Sequence, residues 1–333
     1  ANADTTVDNT KADDLSLELY RSWRWEPSVE GTFVYGAVRV MPDTVLVAGD
    51  GDAIVSATNF TIDAATWDTT IQSTNGFSTS GQVTINTTQM TVSNSTIQMG
   101  NSADWTVNVA NSYTHTGGTL NARTIDINGA ADVIFTGSPT VTAQRMFIDG
   151  SSLAITAGSA LSTDGRGYSG SAGPGVGGSH TTYSGAGGGH GGRGGHGYGS
   201  TGGGFDDSGL QPNLWGSGGG RGRYTLGGAG GGVIRIVAAG QVNLDGTLSA
   251  GGLGSDSYAY GGTGGGGAGG TIRIKADAFA GGGLLQANGG KAGDRTNLSA
   301  SNYGTGGGGG GGRIIVQYDT STFSNMSGSQ ATG

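Results

Sequence analysis

Seven consecutive glycines, Gly306–Gly312, run directly into the apolar stretch "RIIVQY" at 313–318. Glycine loses more conformational entropy on ordering than any other residue. Such a run is either left disordered or is ordered by its neighbours. It also does not stand alone: 58 of the 73 glycines lie between Gly165 and Gly312, so the 333-residue chain has two compositional halves.

The glycine-rich half contains an internal repeat. "GGAGGGVIRI" ends at Ile236, "GGGGAGGTIRI" at Ile274 and "GGGGGGGRIIV" at Val316, with spacings of 38 and 42 residues. A second apolar stretch follows the first two, at 241–252 and 281–290. Each unit reads as strand, short turn, strand and long glycine excursion. "SLAITAGSALSTDGRG" at 152–167 is a further strand pair, followed by a longer excursion. Strands at both ends pin an excursion, so successive glycine segments are expected side by side. A polyproline II chain makes no internal hydrogen bonds, and only glycine lets such chains approach closely enough to bond to one another. The alternative is a set of flexible Gly/Ser loops. The region 165–312 resembles the polyglycine-sandwich domains at the tips of some phage tail-fibre adhesins.

The other half reads differently. Short alternating apolar runs recur from Val38 to Ile155: "VRV" at 38–40, "FTI" at 60–62, "VTI" at 83–85, "MTV" at 90–92, "WTVNV" at 105–109, "TIDI" at 124–127 and "LAI" at 153–155. Period-2 alternation marks strands with one buried face. Hairpin signals are scarce, "NG" at 75–76 and 128–129 being the candidates. Thr and Asn beside the apolar positions suit stacked polar ladders. Residues 38–165 resemble right-handed parallel β-helix proteins. The expected fold is all-β, a parallel β-solenoid continuing into glycine-rich repeats with packed polyglycine excursions. The expected division is 1–30 leader and cap or donor strand, 31–164 β-helix, 165–320 glycine-rich region and 321–333 tail.

The N-terminal stretch "DDLSLELYRSWRWEPS" at 13–28 alternates strongly, with Leu15, Leu17, Leu19, Trp23 and Trp25 on one face and Arg21 as the exception. As a cap it would close the first coil of its own solenoid. As a donor it would complete a neighbouring subunit and drive self-association.

Chemical motifs are few. The chain has no cysteine, which excludes disulfides and thiol–metal sites, and its net charge of −8 argues against a nucleic-acid partner. No run of 18 apolar residues suggests a membrane span. "GGLGSDSYA" at 251–259 resembles the calcium nonapeptide of RTX repeats, and Asp294 follows Asp256 by 38 residues. Calcium between stacked coils is therefore an open alternative to two solvated aspartates. Tyr183, His190, His196, Tyr198, Trp215, Tyr258 and Tyr260 are candidates for stacking on sugar rings, or else for covering the glycine segments. The acids Asp63, Asp68, Asp104, Asp126, Asp132 and Asp149 are scattered and form no catalytic constellation. A start at Ala1 without Met suits a processed secretory signal. The leading expectation is a non-catalytic, secreted, self-associating surface protein without a cofactor. A glycan- or receptor-binding adhesin is second, and a polysaccharide-acting enzyme third.

Overall fold

A computed structural model describes residues 16–19, 23–25, 31–40, 45–48, 53–63, 66–68, 83–99, 103–205, 214–297 and 303–333. Among these the chain is all-β without helix, and every strand pairing with an assigned register is parallel. It divides into two compact units: 1–141 with 148–159 and 238–240, and 142–147 with 160–237 and 241–333.

In the first unit β1 (Ser16–Leu19), β3 (Gly31–Val40), β5 (Ala53–Asp63), β7 (Val83–Ser93), β9 (Asp104–Thr116), β11 (Asp132–Thr136) and β13 (Ser152–Ile155) pair in succession. A second ladder joins β2 (Trp23–Trp25), β4 (Val45–Ala48), β6 (Thr66–Asp68), β8 (Thr96–Gln98) and β10 (Thr119–Asn128). Each strand thus lies on the one a full turn earlier, an arrangement compatible with a parallel β-solenoid. The N-terminal stretch, read in sequence as one strand, is two strands with different partners, because the chain changes ladder between them. Both pair within their own chain, and Leu15 lies outside the described residues.

The alternating pattern stacks like on like. Phe60, Met90, Tyr113, Val133 and Leu153 form one inward column, and Ile62, Val92, His115, Phe135 and Ile155 the next. Each large apolar side chain withdrawn this way stabilises by about 1.5–3 kcal/mol. At the corner after the second column the chain must turn left-handed. Asn94 (φ 46°), Gly117 (φ 62°) and Gly137 (φ 68°) occupy that position on successive turns. The "NG" at 128–129 makes no hairpin: Asn128 ends β10 in parallel register with Asn108.

His115 interrupts its apolar column. It is fully buried, with Nδ1 3.2 Å from the Tyr113 hydroxyl and its ring stacked on Phe135. Burial, offset in part by the Gly117 backbone, pushes its pKa down from 6.5 to about 4.

The second unit stacks β15 (Val233–Ala238), β18 (Thr271–Lys275) and β21 (Arg313–Gln317), so that Ile236, Ile274 and Val316 align. Beside them run β16 (Gln241–Leu244), β19 (Ala278–Ala280) and β22 (Thr320–Ser321), and then β14 (Ala160–Ser162), β17 (Thr247–Ser249) and β20 (Leu284–Gln286). Between the third ladder and the first the chain makes its glycine excursions, 163–232, 250–270 and 287–312. Their described residues belong to no helix or named strand, with isolated bridges at Gly197–Ser200 and Tyr258–Arg295.

Segment 265–270 shows how these are held. The N–H groups of Gly265, Gly266 and Gly267 donate to the carbonyls of Gly220, Gly307 and Leu253, at 2.9 Å each. Those of Ala268, Gly269 and Gly270 return to the same three neighbouring segments, at Ser217, Gly310 and Ala250. The carbonyls of Gly265, Gly266 and Gly267 accept from Gly228, Gly188 and Gly290, on three further segments, and that of Ala268 returns to the first of these at Gly231. Bond directions therefore repeat every three residues, and six segments surround the central one. The glycines here are not in the left-handed region. They are demanded by close approach: a Cβ on Gly265, Gly266 or Gly267 would overlap the backbone of Ala186, Gly290 or Ala229. The C-terminal residues join in, Gly289 donating to Thr332 and Ala287 to Gln330.

Two predictions follow from these cores. Gly267→Ala should destabilise the protein by about 1–3 kcal/mol or more, as overpacking does. Gly308→Ala, whose Cβ meets nothing nearer than Gly290 O at 4.0 Å, should cost under about 1 kcal/mol. Urea unfolding of the two variants checks the contrast. The pH dependence follows from His115. Its folded pKa lies below its unfolded one, so the unfolded state binds the proton first as pH falls. Stability should be level above about pH 6.5 and fall between there and pH 4, by at most about 3 kcal/mol. His115→Phe should flatten that slope in chemical denaturation series.

Candidate recognition site

The turns that reverse the glycine segments include 179–183, 196–200, 221–225, 256–262 and, among the described residues, 294–297 and 303–304. Backbone bonds gather them at one end of the second unit. Arg223 N–H donates to Tyr183 O (2.9 Å), Tyr224 N–H to Gly262 O (3.0 Å), Gly262 N–H to Gly304 O (3.0 Å) and Tyr258 N–H to Asp294 O (3.0 Å). The Ser184 hydroxyl donates to Tyr303 O (2.9 Å). In the first turn His180 Nδ1 accepts the N–H groups of both Thr182 and Tyr183, at 3.0 Å, which folds the backbone beneath the Tyr183 ring.

The side chains of these turns are mostly aromatic, and they touch. Tyr183 packs against His180 (centroids 4.9 Å apart) and edge-on against Tyr198 (5.0 Å). Tyr224 stacks on Tyr258 at 4.6 Å and meets Tyr303 edge-on, while Tyr258 leans on Tyr260. The Arg223 guanidinium lies over both Tyr224 (5.1 Å) and Tyr303 (4.6 Å). Their burial is only partial: Tyr198 is 54% and Tyr260 49% exposed, and Tyr183, Tyr224 and Tyr258 are exposed to a lesser degree. Isolated exposed aromatics need no explanation, but five in neighbouring turns make this the candidate surface of the second unit.

The sequence candidates separate accordingly. Tyr183, Tyr198, Tyr258 and Tyr260 come together here, with His196 exposed in the turn that carries Tyr198. His190 does not: it is buried among glycines with Nε2 2.9 Å from Thr271 Oγ1, out of reach of an external ligand. Trp215 is half-buried elsewhere, against Tyr168 and beneath Arg145. Asp256 and Asp294 lie in adjacent turns, where the Asp294 N–H donates to Ser257 Oγ. Among the described residues no three His, Cys, Asp or Glu side chains gather in a way that could hold a metal ion. His180, Arg223, Tyr224 and Tyr303 complete the cluster. The "RGRY" at 221–224 carries two of them, but nothing in its spacing marks it as part of a site.

Two acids of the first unit make local contacts. Asp104 holds Arg123 through paired bonds of 2.8 and 2.5 Å, and Asp132 accepts the Ser152 hydroxyl at 2.7 Å. Burial opposes the Asp104 charge, yet the Arg123 and Thr124 hydrogen bonds and the Arg123 charge carry its pKa below the ordinary value. No helix among the described residues is long and apolar enough to cross a membrane. No family model, curated protein or solved structure matches this chain.

Proposed function

We propose that this chain is a non-catalytic extracellular adhesin: a β-solenoid protein whose glycine excursions form a polyglycine II bundle that presents a recognition surface on its turns. The observation that carries the reading is the gathering of exposed tyrosines at 183, 198, 224, 258 and 260 at one end of the glycine segments. The composition of those turns, in Tyr, Ser, Gly, Asn and Arg, supports it, because this is the mixture that antibody loops use. Rigid tyrosine rings give large contact area at small entropic cost, and small polar residues adapt around them. The resemblance to the polyglycine tips of phage tail-fibre adhesins points the same way. The three-residue bonding cycle supports the bundle, since polyproline II has three residues per turn and no internal hydrogen bonds.

A glycan array and intact-cell binding with the full chain test the proposal. Tyr198→Ala and Tyr260→Ala should each weaken binding by about tenfold or more while leaving the melting temperature within a few degrees. Unchanged binding in both variants would remove the turns as the site.

A second reading, a self-associating fibre subunit without a cofactor, rests on β21. Its inward Ile314 and Val316 are only half-buried, whereas Ile272 and Ile274 beneath them are fully so. Donation through Leu17, Leu19, Trp23 and Trp25 would instead require β1 and β2 to leave β3 and β4. Sedimentation across a hundredfold concentration range decides: growth to filaments favours the fibre, and a constant monomer the adhesin.

A further inference from the structure

This inference rests on the turn surface proposed above and extends it to the charge of the ligand. Arg223 is exposed, and its backbone is fixed by the bond to Tyr183 O. Its guanidinium lies 4.6 Å from the Tyr303 ring centre and 5.1 Å from that of Tyr224. The guanidinium carries five N–H donors, and these two contacts are with rings rather than with acceptor oxygens. Among the described residues none of those donors meets an acceptor and no carboxylate pairs with the group. Asp256 and Asp294, the acids of the neighbouring turns, are exposed and do not pair with it.

A guanidinium held this way is prepared for an anion. It is weakly hydrated and planar, and its fork matches the two oxygens of a carboxylate or sulfate. The rings around it have already restricted its rotamers, so less entropy is lost on binding. Beside it Tyr258 and Tyr260 present partly exposed rings, apolar faces on which a sugar can stack. We infer that Arg223 is the anion-binding residue of this surface and that the ligand is a glycan carrying carboxylate or sulfate groups.

The test uses the full chain and three immobilised oligosaccharides of equal length: an oligogalacturonate, a sulfated oligogalactan and the neutral oligogalactan. Saturable binding to at least one anionic saccharide is expected, with the neutral one about tenfold weaker or worse, and the preferred arm tells carboxylate from sulfate. Arg223→Ala should lose about tenfold or more in affinity, and Arg223→Lys most of the same, because lysine keeps the charge without the fork. Lys275→Ala, an exposed cation on β18, should change nothing, and far-ultraviolet dichroism should be the same throughout. Binding that Arg223→Ala leaves intact, or that Lys275→Ala weakens equally, overturns the inference. So does binding to none of the three. If the neutral saccharide binds and Tyr260→Ala abolishes it while Arg223→Ala does not, the turn surface survives and its anionic ligand falls. If neither substitution matters to an observed binding, both fall.

Discussion

The second unit depends on one constraint: backbone against backbone with nothing between. Fixing a residue's backbone costs about 1–2 kcal/mol and glycine sits at the upper end, while a net hydrogen bond returns about 0.5–1.5 kcal/mol. A single glycine segment cannot meet that cost. Segment 265–270 meets it because every one of its N–H groups is used, in turn, by three neighbours, and the carbonyls of residues 265–268 serve three more. That arrangement exists only if side chains are absent from the contact, as the overlaps at Gly265, Gly266 and Gly267 require. The composition that makes the isolated segment so unfavourable is the one that permits this close approach.

The first unit solves the same problem of satisfying backbone groups by other means. There the ladder bonds run along strands, and side chains supply the driving force through columns such as Phe60–Met90–Tyr113–Val133–Leu153. Where a column takes in a polar group, as at His115, the interior depresses its pKa rather than hold a charge. Segment 265–270 relies instead on backbone bonds to its neighbours. The glycine segments are held by backbone bonds to several neighbours at once, so tolerance of a side chain differs from position to position, as between Gly267 and Gly308.

Strand positions were legible in the first unit because period-2 alternation and burial agree: "WTVNV" at 105–109 buries Trp105, Val107 and Val109 as the pattern requires. The bounds were less so. "VTI" and "MTV" are one strand, β7, because the backbone passes an irregularity between Thr87 and Gln89 without leaving its partner. The N-terminal alternation hid a change of ladder, which periodicity does not record. In the second unit the repeat spacing was readable, since 38 and 42 residues are the separations at which Ile236, Ile274 and Val316 align. The site was readable only as a set of aromatics. Nothing in the spacing of His190 and His196 separates a residue inside the bundle from one at its turn. That difference depends on which neighbours surround each segment, a property of the assembled bundle.

The recognition surface we propose needs rings held still without being buried, and the hydrogen-bonded turns supply such a support. Tyr183, Tyr224, Tyr258 and Tyr303 are anchored through main-chain bonds or carbonyls to segments that cannot rotate without breaking several others. Their side chains touch one another rather than a core, so each leaves part of its ring in solvent. If these rings served only to cover glycine, the pressure would be toward burial, as at Tyr113 and Phe279, which the same chain encloses completely. A half-exposed Tyr198 and Tyr260 on a rigid support instead resemble an interface with one partner missing, and the two-ring seat of Arg223 is the point where that partner's charge would be felt.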